Sequence, residues 1–346
     1  MPELLHAFST FAVGGPQMRF AAIANHFGRR WRHVVIAMDG QTAARERLDP
    51  GLDVEFLTVP VLKGRTLGNV RPFRRLLHER RPSALFTYNF GTIDWAISNF
   101  DGHVRQVHVE DGFGPEEHAG QLPRRVWLRR LLLRHKTVVV PSETLRRLAT
   151  SVWRLPHVAY VPNGVDLARF GLAATAHDGV VVGTVAALRA EKNLARLIRA
   201  MVGVPARLVI VGDGPERAGL EALAQRLGID AHFTGALADP AAAMSGFDVF
   251  ALSSDTEQMP LSLLEAMAAG KPVAATAVGD VPVMVSEPNR PYAVTPDDAA
   301  LHGSLLGLVL DEPLRRALGA ANQARAAAVY GQQSMFDRWA ALFDHG

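Results

Sequence analysis

Two glutamates, Glu257 and Glu265, stand in the stretch of sequence whose residue types and spacing are most indicative of chemistry. An apolar run at 247–252 precedes them and is typical of a short buried strand. Pro260 suits the first position of a following helix, where its missing N–H costs nothing. Gly270 is placed to end that helix. The pattern therefore predicts a strand, a loop that carries Glu257 and a helix that carries Glu265.

Both carboxylates are expected to reach the space above the helix start, because helical side chains lean toward the N-terminus of their helix. The backbone N–H groups from Met259 to Leu263 lie at the positive end of this helix without acceptors, which suits a phosphate group. Carboxylates accept hydrogen bonds from hydroxyl groups. Together these groups predict a pocket for a sugar joined to a nucleotide diphosphate. The alternative is an ordinary strand-to-helix turn with Glu265 on a solvated face.

This stretch, which continues from Glu265 as Glu-Ala-Met-Ala-Ala-Gly-Lys-Pro-Val, resembles the donor-site signature of retaining GT-B glycosyltransferases of family 4. The resemblance implies an α/β fold of two Rossmann-like domains facing across a cleft. It implies that Glu257 is a catalytic residue beside the transferred sugar and that Glu265 binds the ribose hydroxyls. The substrate would be a UDP-, GDP- or ADP-sugar, with no cofactor and no essential metal. Donor binding is also assigned to Met259, Pro260, Leu261 and Ser262.

The strand and loop at 180–193 resemble the phosphate loop of the same family, in which an arginine and a lysine are usual. Lys192 matches the lysine and would hold the diphosphate as a point charge. A simple surface lysine is the alternative. Ala187 occupies the arginine position, so Arg189 is the candidate to replace it. Gly235 lies where the family binds the nucleobase.

Two further candidate stretches follow predicted strands in the first half. Gly14 and Gly15 precede a helix, where paired glycines permit close approach of a ligand to the backbone. The resemblance places them near the donor phosphates and the acceptor, and a tight turn is the alternative. His108 and Glu110 point to one face of a strand by alternation. Because many family members have a histidine here near the anomeric carbon, both are catalytic candidates. Asp111 is a further candidate to take the place of the family's histidine. The alternative is that His108 is a buried histidine with a structural role.

The first half is also basic: residues 1–165 contain 23 Lys and Arg against 14 Asp and Glu, whereas the remainder contains 14 against 20. A basic half favours an anionic partner. The segment 122–136 combines leucines and Trp127 with arginines, which predicts a helix that docks on the core or lies on a membrane surface. We favour core docking, with peripheral attraction of its basic rim to an anionic membrane. The pattern of aromatics and arginines matches no nucleic-acid-binding module.

Strand and helix signals alternate along the 346 residues, which is typical of two domains with parallel sheets. We predict an acceptor-binding domain at 1–165, a nucleotide-sugar domain at 166–330 and a terminal helix at 331–346 that packs back toward the first domain. The motif at 162–166, Pro-Asn-Gly-Val-Asp, resembles the one beside the family's domain boundary. The absence of cysteine excludes disulfides and thiolate chemistry and suits a cytoplasmic enzyme. No apolar run is long enough to span a membrane, and the first residues do not resemble a signal peptide.

These features predict a glycosyltransferase of the hexosyltransferase type that moves a sugar, with retention, to a hydroxyl of a glycan or lipid-linked acceptor. Surface polysaccharide or glycolipid synthesis, in the cytoplasm at the inner face of the membrane, is the expected setting. Two rival classes remain open. One is a sugar-nucleotide epimerase of related fold. The other is a non-catalytic sugar-nucleotide-binding protein, which the missing arginine at position 187 would suit.

Overall fold

The structure is a computed structural model that describes residues 1–62, 66–113, 117, 120–172 and 177–344. It divides the chain into two compact units. The first comprises Met1–Pro162 together with Met335–Gly346, and the second comprises Asn163–Ser334.

Within the described residues, seven parallel strands form the sheet of the first unit, in the order β3-β2-β1-β4-β5-β6-β7. They are β1 (Glu3–Phe8), β2 (Arg32–Ala37), β3 (Val54–Phe56), β4 (Ala84–Tyr88), β5 (Gln106–Val109), β6 (Thr137–Val140) and β7 (Val158–Tyr160). The helices of this unit are α1 (Gly15–Phe27), α2 (Thr66–Arg80), α3 (Ile93–Ser98), α4 (Pro123–Leu132), α5 (Glu143–Arg147) and the last helix of the chain, α14 (Gln332–Asp344).

The strands of this sheet are almost continuously apolar because both of its faces are covered. Leu4 and Phe8 of β1 point to one face, where α14 contributes Met335, Phe336, Trp339 and Phe343 to the same core. Leu5 and Ala7 point to the other face and pack with the stacked rings of Phe73 and Trp95. The terminal helix is therefore part of the hydrophobic core of the first unit.

The described part of the second unit contains six parallel strands in the order β10-β9-β8-β11-β12-β13. They are β8 (Val181–Val185), β9 (Arg207–Val211), β10 (Ala231–Gly235), β11 (Val249–Leu252), β12 (Val273–Thr276) and β13 (Ala293–Val294). The helices are α6 (Leu167–Phe170), α7 (Leu194–Ala200), α8 (Arg217–Leu227), α9 (Ala241–Ser245), α10 (Leu261–Ala268), α11 (Val281–Met284), α12 (Asp298–Leu310) and α13 (Glu312–Val329). One core lies under α10 and the other under α7 and α12.

The order of the strands reverses once in each sheet, between β1 and β4 in the first and between β8 and β11 in the second. Loops that leave such neighbouring strands diverge to opposite faces and open a crevice at the carboxyl edge, where ligands bind in open α/β sheets. Each unit therefore has one such reversal point, and the residues around these two points position any functional site.

The two parallel sheets confirm the predicted α/β class. The predicted start of α10 is one residue early: Pro260 is an extended residue at the N-cap position, and the helix begins at Leu261. Gly270 has a φ of +68° just after that helix, as its predicted terminating role requires.

Candidate functional site

An ion pair stands at the β8/β11 reversal point of the second unit. Lys192 donates from Nζ to Glu257 Oε1 at 2.5 Å. The Ser254 hydroxyl donates to the same oxygen at 2.7 Å. These two residues and Glu257 line a small pocket together with Ser262, between the carboxyl ends of the two strands. Sequence positions more than sixty residues apart thus form one charged site.

The loop that carries Glu257 is fastened to the start of α7. Arg196 donates to the carbonyl oxygen of Ser253 at 2.7 Å and pairs with Asp255, also at 2.7 Å. Asn193 donates from Nδ2 to both carboxylate oxygens of Asp255, at 3.2 and 3.1 Å. Because Lys192 precedes these residues directly, the same contacts fix both partners of the ion pair.

Backbone atoms support this loop from behind. Gly279 has a φ of +54°, and a Cβ placed on it would lie 2.1 Å from the carbonyl oxygen of Glu257. The N–H of Asp280 donates to the carbonyl of Gln258 at 2.9 Å. Only glycine fits at position 279, since the left-handed backbone and the close approach both exclude a side chain.

The first turn of α10 is held by Asn163, from the motif predicted to mark the domain boundary. Asn163 donates from Nδ2 to the carbonyl of Met259 at 3.1 Å, and its backbone N–H approaches the sulfur of Met259 at 3.2 Å. Among the described residues the N–H groups of Leu261 and Ser262 have no acceptor. They are the unsatisfied donors that every helix start has, and they can bind an anion.

Glu265 lies one turn further along α10 in different surroundings from Glu257. Its carboxylate accepts no hydrogen bond from the described part of the chain. Burial raises the pKa of Glu265 to about 7, with the positive charge of Arg169 opposing this rise and the negative charge of Asp239 adding to it. Glu265 is therefore not on a fully solvated face: it is half-buried, and no described residue donates a hydrogen bond to its carboxylate.

Two other residues predicted to bind the sugar nucleotide are Arg189 and Gly235. Arg189 is exposed beside the exposed Ala187, and its side chain makes no hydrogen bond within the described residues. The carbonyl of Gly235 accepts from the N–H of Gly212 at 2.9 Å. A Cβ on Gly212 would lie 1.8 Å from the carbonyl oxygen of Ala186. The glycine at 212 is therefore required by the packing of two loops against each other.

In the first unit, Gly14 and Gly15 stand at the start of α1. Gly14 is its N-cap residue in an extended conformation and Gly15 is its first residue. A Cβ on Gly14 would approach the Oε1 atom of Gln17 to 2.8 Å. Gln17 in turn donates to the carbonyl of Thr10 at 2.8 Å, which closes the loop between β1 and α1.

His108 and Glu110 lie side by side, as alternation along β5 predicts, and both are completely buried. His108 contacts the Thr87 hydroxyl at 2.9 Å and Glu110 at 3.4 Å. Arg129 donates from Nε to Glu110 at 3.1 Å. Burial works to raise the pKa of Glu110, but the charge of Arg129 and the hydrogen bond from His108 hold it below its usual value. Asp111 is occupied by Arg19, with contacts of 2.5 and 2.9 Å.

Helix α4 docks on the core with only one of its faces. Arg129 and Leu132 are buried, whereas Trp127 is 59% and Leu131 is 45% exposed. Phe100, which is 61% exposed, lines the same shallow surface together with Arg130 and Arg134. No helix in the described residues combines the length and apolar character that crossing a membrane requires. In that part of the chain, no three His, Asp or Glu side chains are grouped to hold a metal ion.

Two family profiles match consecutive parts of the chain. Glycosyltransferase Family 4 matches residues 13–169, and Glycosyl transferases group 1 matches residues 173–325. The chain belongs to the group 1 glycosyltransferases. The resemblance stated from Glu257, Glu265 and the glycine-containing loops is thereby confirmed at the level of the family.

Curated relatives of this glycosyltransferase match over part of their length. The lipopolysaccharide core biosynthesis glycosyltransferase LpsD of Rhizobium meliloti is 33% identical over 184 residues, which is 52% of this chain and 53% of LpsD. A GDP-mannose-dependent monoacylated α-(1-6)-phosphatidylinositol monomannoside mannosyltransferase of Corynebacterium glutamicum is 30% identical over 58% of this chain and 59% of its own. The chain thus spans little more than half the length of these relatives.

Solved structures match over nearly the whole chain at low identity. HepE of Anabaena, in its complex with UDP-glucose, has a TM-score of 0.82 at 19% identity, covering 99% of both chains. Sucrose-phosphate synthase of Thermosynechococcus elongatus has a TM-score of 0.79 at 18% identity, covering 99% of this chain and 98% of its own. These similarities establish the GT-B fold.

Sequence reasoning about this glycosyltransferase missed the residues that hold the site in place. Arg196 and Gly279 belong to no motif considered above, and Asn163 was identified only as part of a boundary marker. In the sequence, Arg196 stands among the apolar residues of α7, and in the structure only 8% of it is exposed. Buried arginines are rare unless they are paired, so this position pointed to an acidic partner.

Proposed function

We propose that this chain is a retaining glycosyltransferase that transfers a hexose from a nucleotide-diphosphate donor to a hydroxyl group of a glycan or lipid-linked acceptor. The observation that carries the proposal is the charged site at the β8/β11 reversal point. There, the ammonium group of Lys192 and the carboxylate of Glu257 lie beside an anion-binding helix start. One turn away, the half-buried carboxylate of Glu265 receives no hydrogen bond from the described residues. These groups match the sugar, the diphosphate and the ribose of such a donor.

In this proposal the diphosphate binds the N–H groups of Met259, Leu261 and Ser262, beyond Pro260, and displaces Glu257 from Lys192. Lys192 then neutralises the phosphates, Glu257 faces the sugar and Glu265 accepts hydrogen bonds from the ribose hydroxyls. Arg189 is exposed and within the same loop, so it is the remaining cation for the phosphates. Gly14 and Gly15, and Gly235 at the nucleobase, allow close backbone approach.

The bond between C1 of the sugar and the phosphate oxygen breaks, and its electron pair leaves with the nucleotide diphosphate. The acceptor hydroxyl oxygen forms the new bond on the same face, and its proton passes to the departing phosphate oxygen. Stabilisation of the leaving charge is the main requirement. Lys192 and the α10 start supply it, so we expect neither a cofactor nor a metal ion. The proposed catalytic residues of the first unit, His108 and Glu110, are both completely buried at the end of β5.

A thermal-shift screen with UDP-, GDP- and ADP-sugars tests donor binding. A ligand that binds only the native state raises the melting temperature by mass action, and we expect one nucleotide class to do so. Glu265→Gln should reduce the shift, whereas Glu287→Gln, an exposed position in the same unit, should not. Analysis of the product then separates transfer with retention from epimerisation of the free sugar nucleotide. If none of these sugar nucleotides stabilises the protein, the proposal is wrong.

We further propose that the acceptor is presented at an anionic membrane, at its cytoplasmic face. The shallow surface formed by Phe100, Trp127 and Leu131 combines exposed apolar side chains with Arg130 and Arg134, which suits a headgroup region of negative charge. Two relatives support this setting by their names, since they act in lipopolysaccharide core synthesis and on a phosphatidylinositol mannoside. Synthesis of a surface polysaccharide or glycolipid follows from it.

Cosedimentation with vesicles tests this surface. The protein should bind vesicles that contain phosphatidylglycerol more tightly than pure phosphatidylcholine vesicles, and added salt should weaken the binding. The double variant Trp127→Ser/Leu131→Ser should lose most of it, whereas Leu237→Ser, an exposed leucine of the second unit, should retain it. Equal binding by all three proteins would contradict membrane docking through α4.

A further inference from the structure

A second cavity lies at the other reversal point, at the carboxyl ends of β1, β2 and β4. Its polar lining comes from Ser9, Asp39, Asn69, Asp94 and Arg125, and its apolar wall includes Met38, Leu62, Phe90 and Ile93. These residues come from five separate segments of the first unit. The position is the one at which parallel α/β sheets bind ligands, and none of the individual site residues predicted from the sequence lines it.

The residue that decides the chemistry of this cavity is Asp94. Its side chain belongs to a residue that is only 8% exposed. Asn69 donates from Nδ2 to Oδ2 of Asp94 at 2.8 Å. Oδ1 accepts no hydrogen bond from the described residues. The rest of the residue is buried and this oxygen is its free acceptor, so it is suited to a donor supplied by a ligand.

The surroundings of Asp94 hold it in this orientation. Asn69 also accepts from the N–H of Leu62 at 2.8 Å and donates to its carbonyl at 3.2 Å, so its amide is fully used. Gly91 allows the two loops to meet, since a Cβ there would lie 2.2 Å from the Ser9 hydroxyl oxygen. The cavity is therefore shaped by fixed contacts on both sides of Asp94.

The charges of the lining distinguish between ligand classes. Asp39 and Asp94 contribute two carboxylates, while the guanidinium of Arg125 donates to Glu117 at 3.1 Å. Acceptor oxygens in this number repel phosphate and bind hydroxyl groups. The apolar wall offers contact for the C–H groups of a ring. A neutral hydroxylated ring satisfies both sides of the cavity, and an anionic headgroup does not.

We propose that this cavity binds a neutral, polyhydroxylated ring, the sugar unit of the acceptor, and that Oδ1 of Asp94 accepts a hydrogen bond from one of its hydroxyls. Asp39 and Ser9 contact the ring at the mouth. The statement that this ring belongs to the sugar acceptor rests on the proposed transferase function. The statement that the cavity binds such a ring does not. Asp94 is thus a specificity-determining residue that selects a sugar hydroxyl rather than a lipid phosphate.

Saturation-transfer NMR and calorimetry on the full chain, without any sugar nucleotide, test this site. The probes are the methyl α-pyranosides of mannose, glucose and galactose, compared with inorganic phosphate. We expect at least one glycoside to bind at millimolar concentration and phosphate not to compete with it. Asp94→Asn keeps the size of the side chain and an acceptor for Asn69 but removes the charge, and it should weaken binding about tenfold. Asp49→Asn, an exposed position in the same unit, should have no effect.

Three results would overturn the proposal: no glycoside binds, phosphate binds in preference, or Asp94→Asn binds as well as the unaltered protein. If Asp94→Asn does not fold, Asp39→Asn replaces it with an expected loss of a few-fold, and unchanged binding would have the same meaning. Because this experiment contains no sugar nucleotide, a failure to bind glycosides would not affect the interpretation of the thermal-shift screen with sugar nucleotides. Conversely, glycoside binding without any donor binding would preserve this cavity and refute the transferase proposal.

Discussion

The two reversal points of the sheets lie at equivalent places in two similar folds, yet their chemistry differs. At β8/β11, Lys192 faces Glu257 at 2.5 Å beside a helix start that offers N–H donors. At β1/β4, one carboxylate oxygen of Asp94 accepts no hydrogen bond from the described residues, and Arg125 donates to Glu117. The first arrangement suits a charged ligand with phosphates, and the second suits a neutral ligand with hydroxyls.

In these two proposals, one architecture serves two binding tasks. In both units the sheet and the reversal of strand order decide where a ligand can bind. The loops that leave the strands and the helices that follow them decide which ligand it is, because they contribute the charged and polar groups at the edge. Under the two proposals above, donor and acceptor would therefore be selected independently, by substitutions at the edges of the two sheets.

The largest effect is expected from Glu257→Gln, which keeps the shape of the side chain but removes its charge from the Lys192 site. We expect the rate of sugar transfer to fall about a hundredfold or more, the order found when a single charge-stabilising group is lost. Nucleotide affinity should change only a few-fold. Steady-state kinetics with the stabilising sugar nucleotide measures both. Full activity in this variant would show that the charged site at β8/β11 does not carry the transfer reaction.

The glycines beside the two sites differ in what surrounds them. Gly279→Ala should lower the free energy of unfolding by about 3 kcal/mol or more, because its Cβ would meet the backbone of Glu257 and its φ is positive. Gly228→Ala, with a similar φ but open space, should cost about 1 kcal/mol. Gly91→Ala should cost less than about 1 kcal/mol, since the Ser9 hydroxyl can rotate away. Urea denaturation measures all three free energies of unfolding. Equal losses in the three variants would contradict a rigid backbone around Glu257.

Arg196→Ala removes the guanidinium that holds Ser253 and Asp255. Hydrogen bonds to a charged group of this kind contribute about 2 kcal/mol in total to the free energy of unfolding, and we expect a loss of that order. The Glu257 loop should also become less ordered, so donor affinity should fall. Arg199→Ala is the matched control on the same helix, because the one acidic partner of Arg199 among the described residues is the exposed side chain of Asp298. Equal losses in the two variants would show that Arg196 does not support the site.

The smallest effect is a pH dependence from Glu265, whose pKa burial raises to about 7. The folded state then binds more protons than the unfolded state between about pH 4.5 and pH 7, so stability falls as the pH rises through this range. Above pH 7, Glu265→Gln should therefore be more stable than the unaltered protein by about 2 kcal/mol, with no difference near pH 4. Nucleotide affinity should rise a few-fold from pH 6 to pH 8, as the carboxylate ionises. Denaturation and calorimetry at these pH values test both.

The two sites also differ in how far the sequence predicts them. Glu257 and Glu265 lie within one short stretch, bounded by a strand and a helix end, so their spacing and the turn residues predict the local structure directly. The alternation of strands and helices likewise predicts both parallel sheets. The motif at Asn163 was recognised, but its contact with Met259 depends on a fold-back of the chain that no local pattern encodes.

The cavity at β1/β4 could not be predicted, because Ser9, Asp39, Asn69 and Asp94 come from separate loops and helices and share no spacing. Their proximity follows from strand order, which hydrophobic periodicity does not determine. The same limit applied to helix α4: periodicity predicted docking on the core but could not show that Trp127 and Leu131 remain exposed on the opposite face. Long-range pairing decides these features, and it becomes visible only in the folded chain.

The central claim is that the charged site at β8/β11 binds an activated sugar. A crystal structure of the protein grown with the sugar nucleotide that stabilises it most tests this claim directly. We expect the diphosphate at the start of α10 with Lys192 turned toward it, the ribose hydroxyls on Glu265 and the sugar beside Glu257. A ligand bound elsewhere, with the Lys192–Glu257 pair intact, would contradict the account.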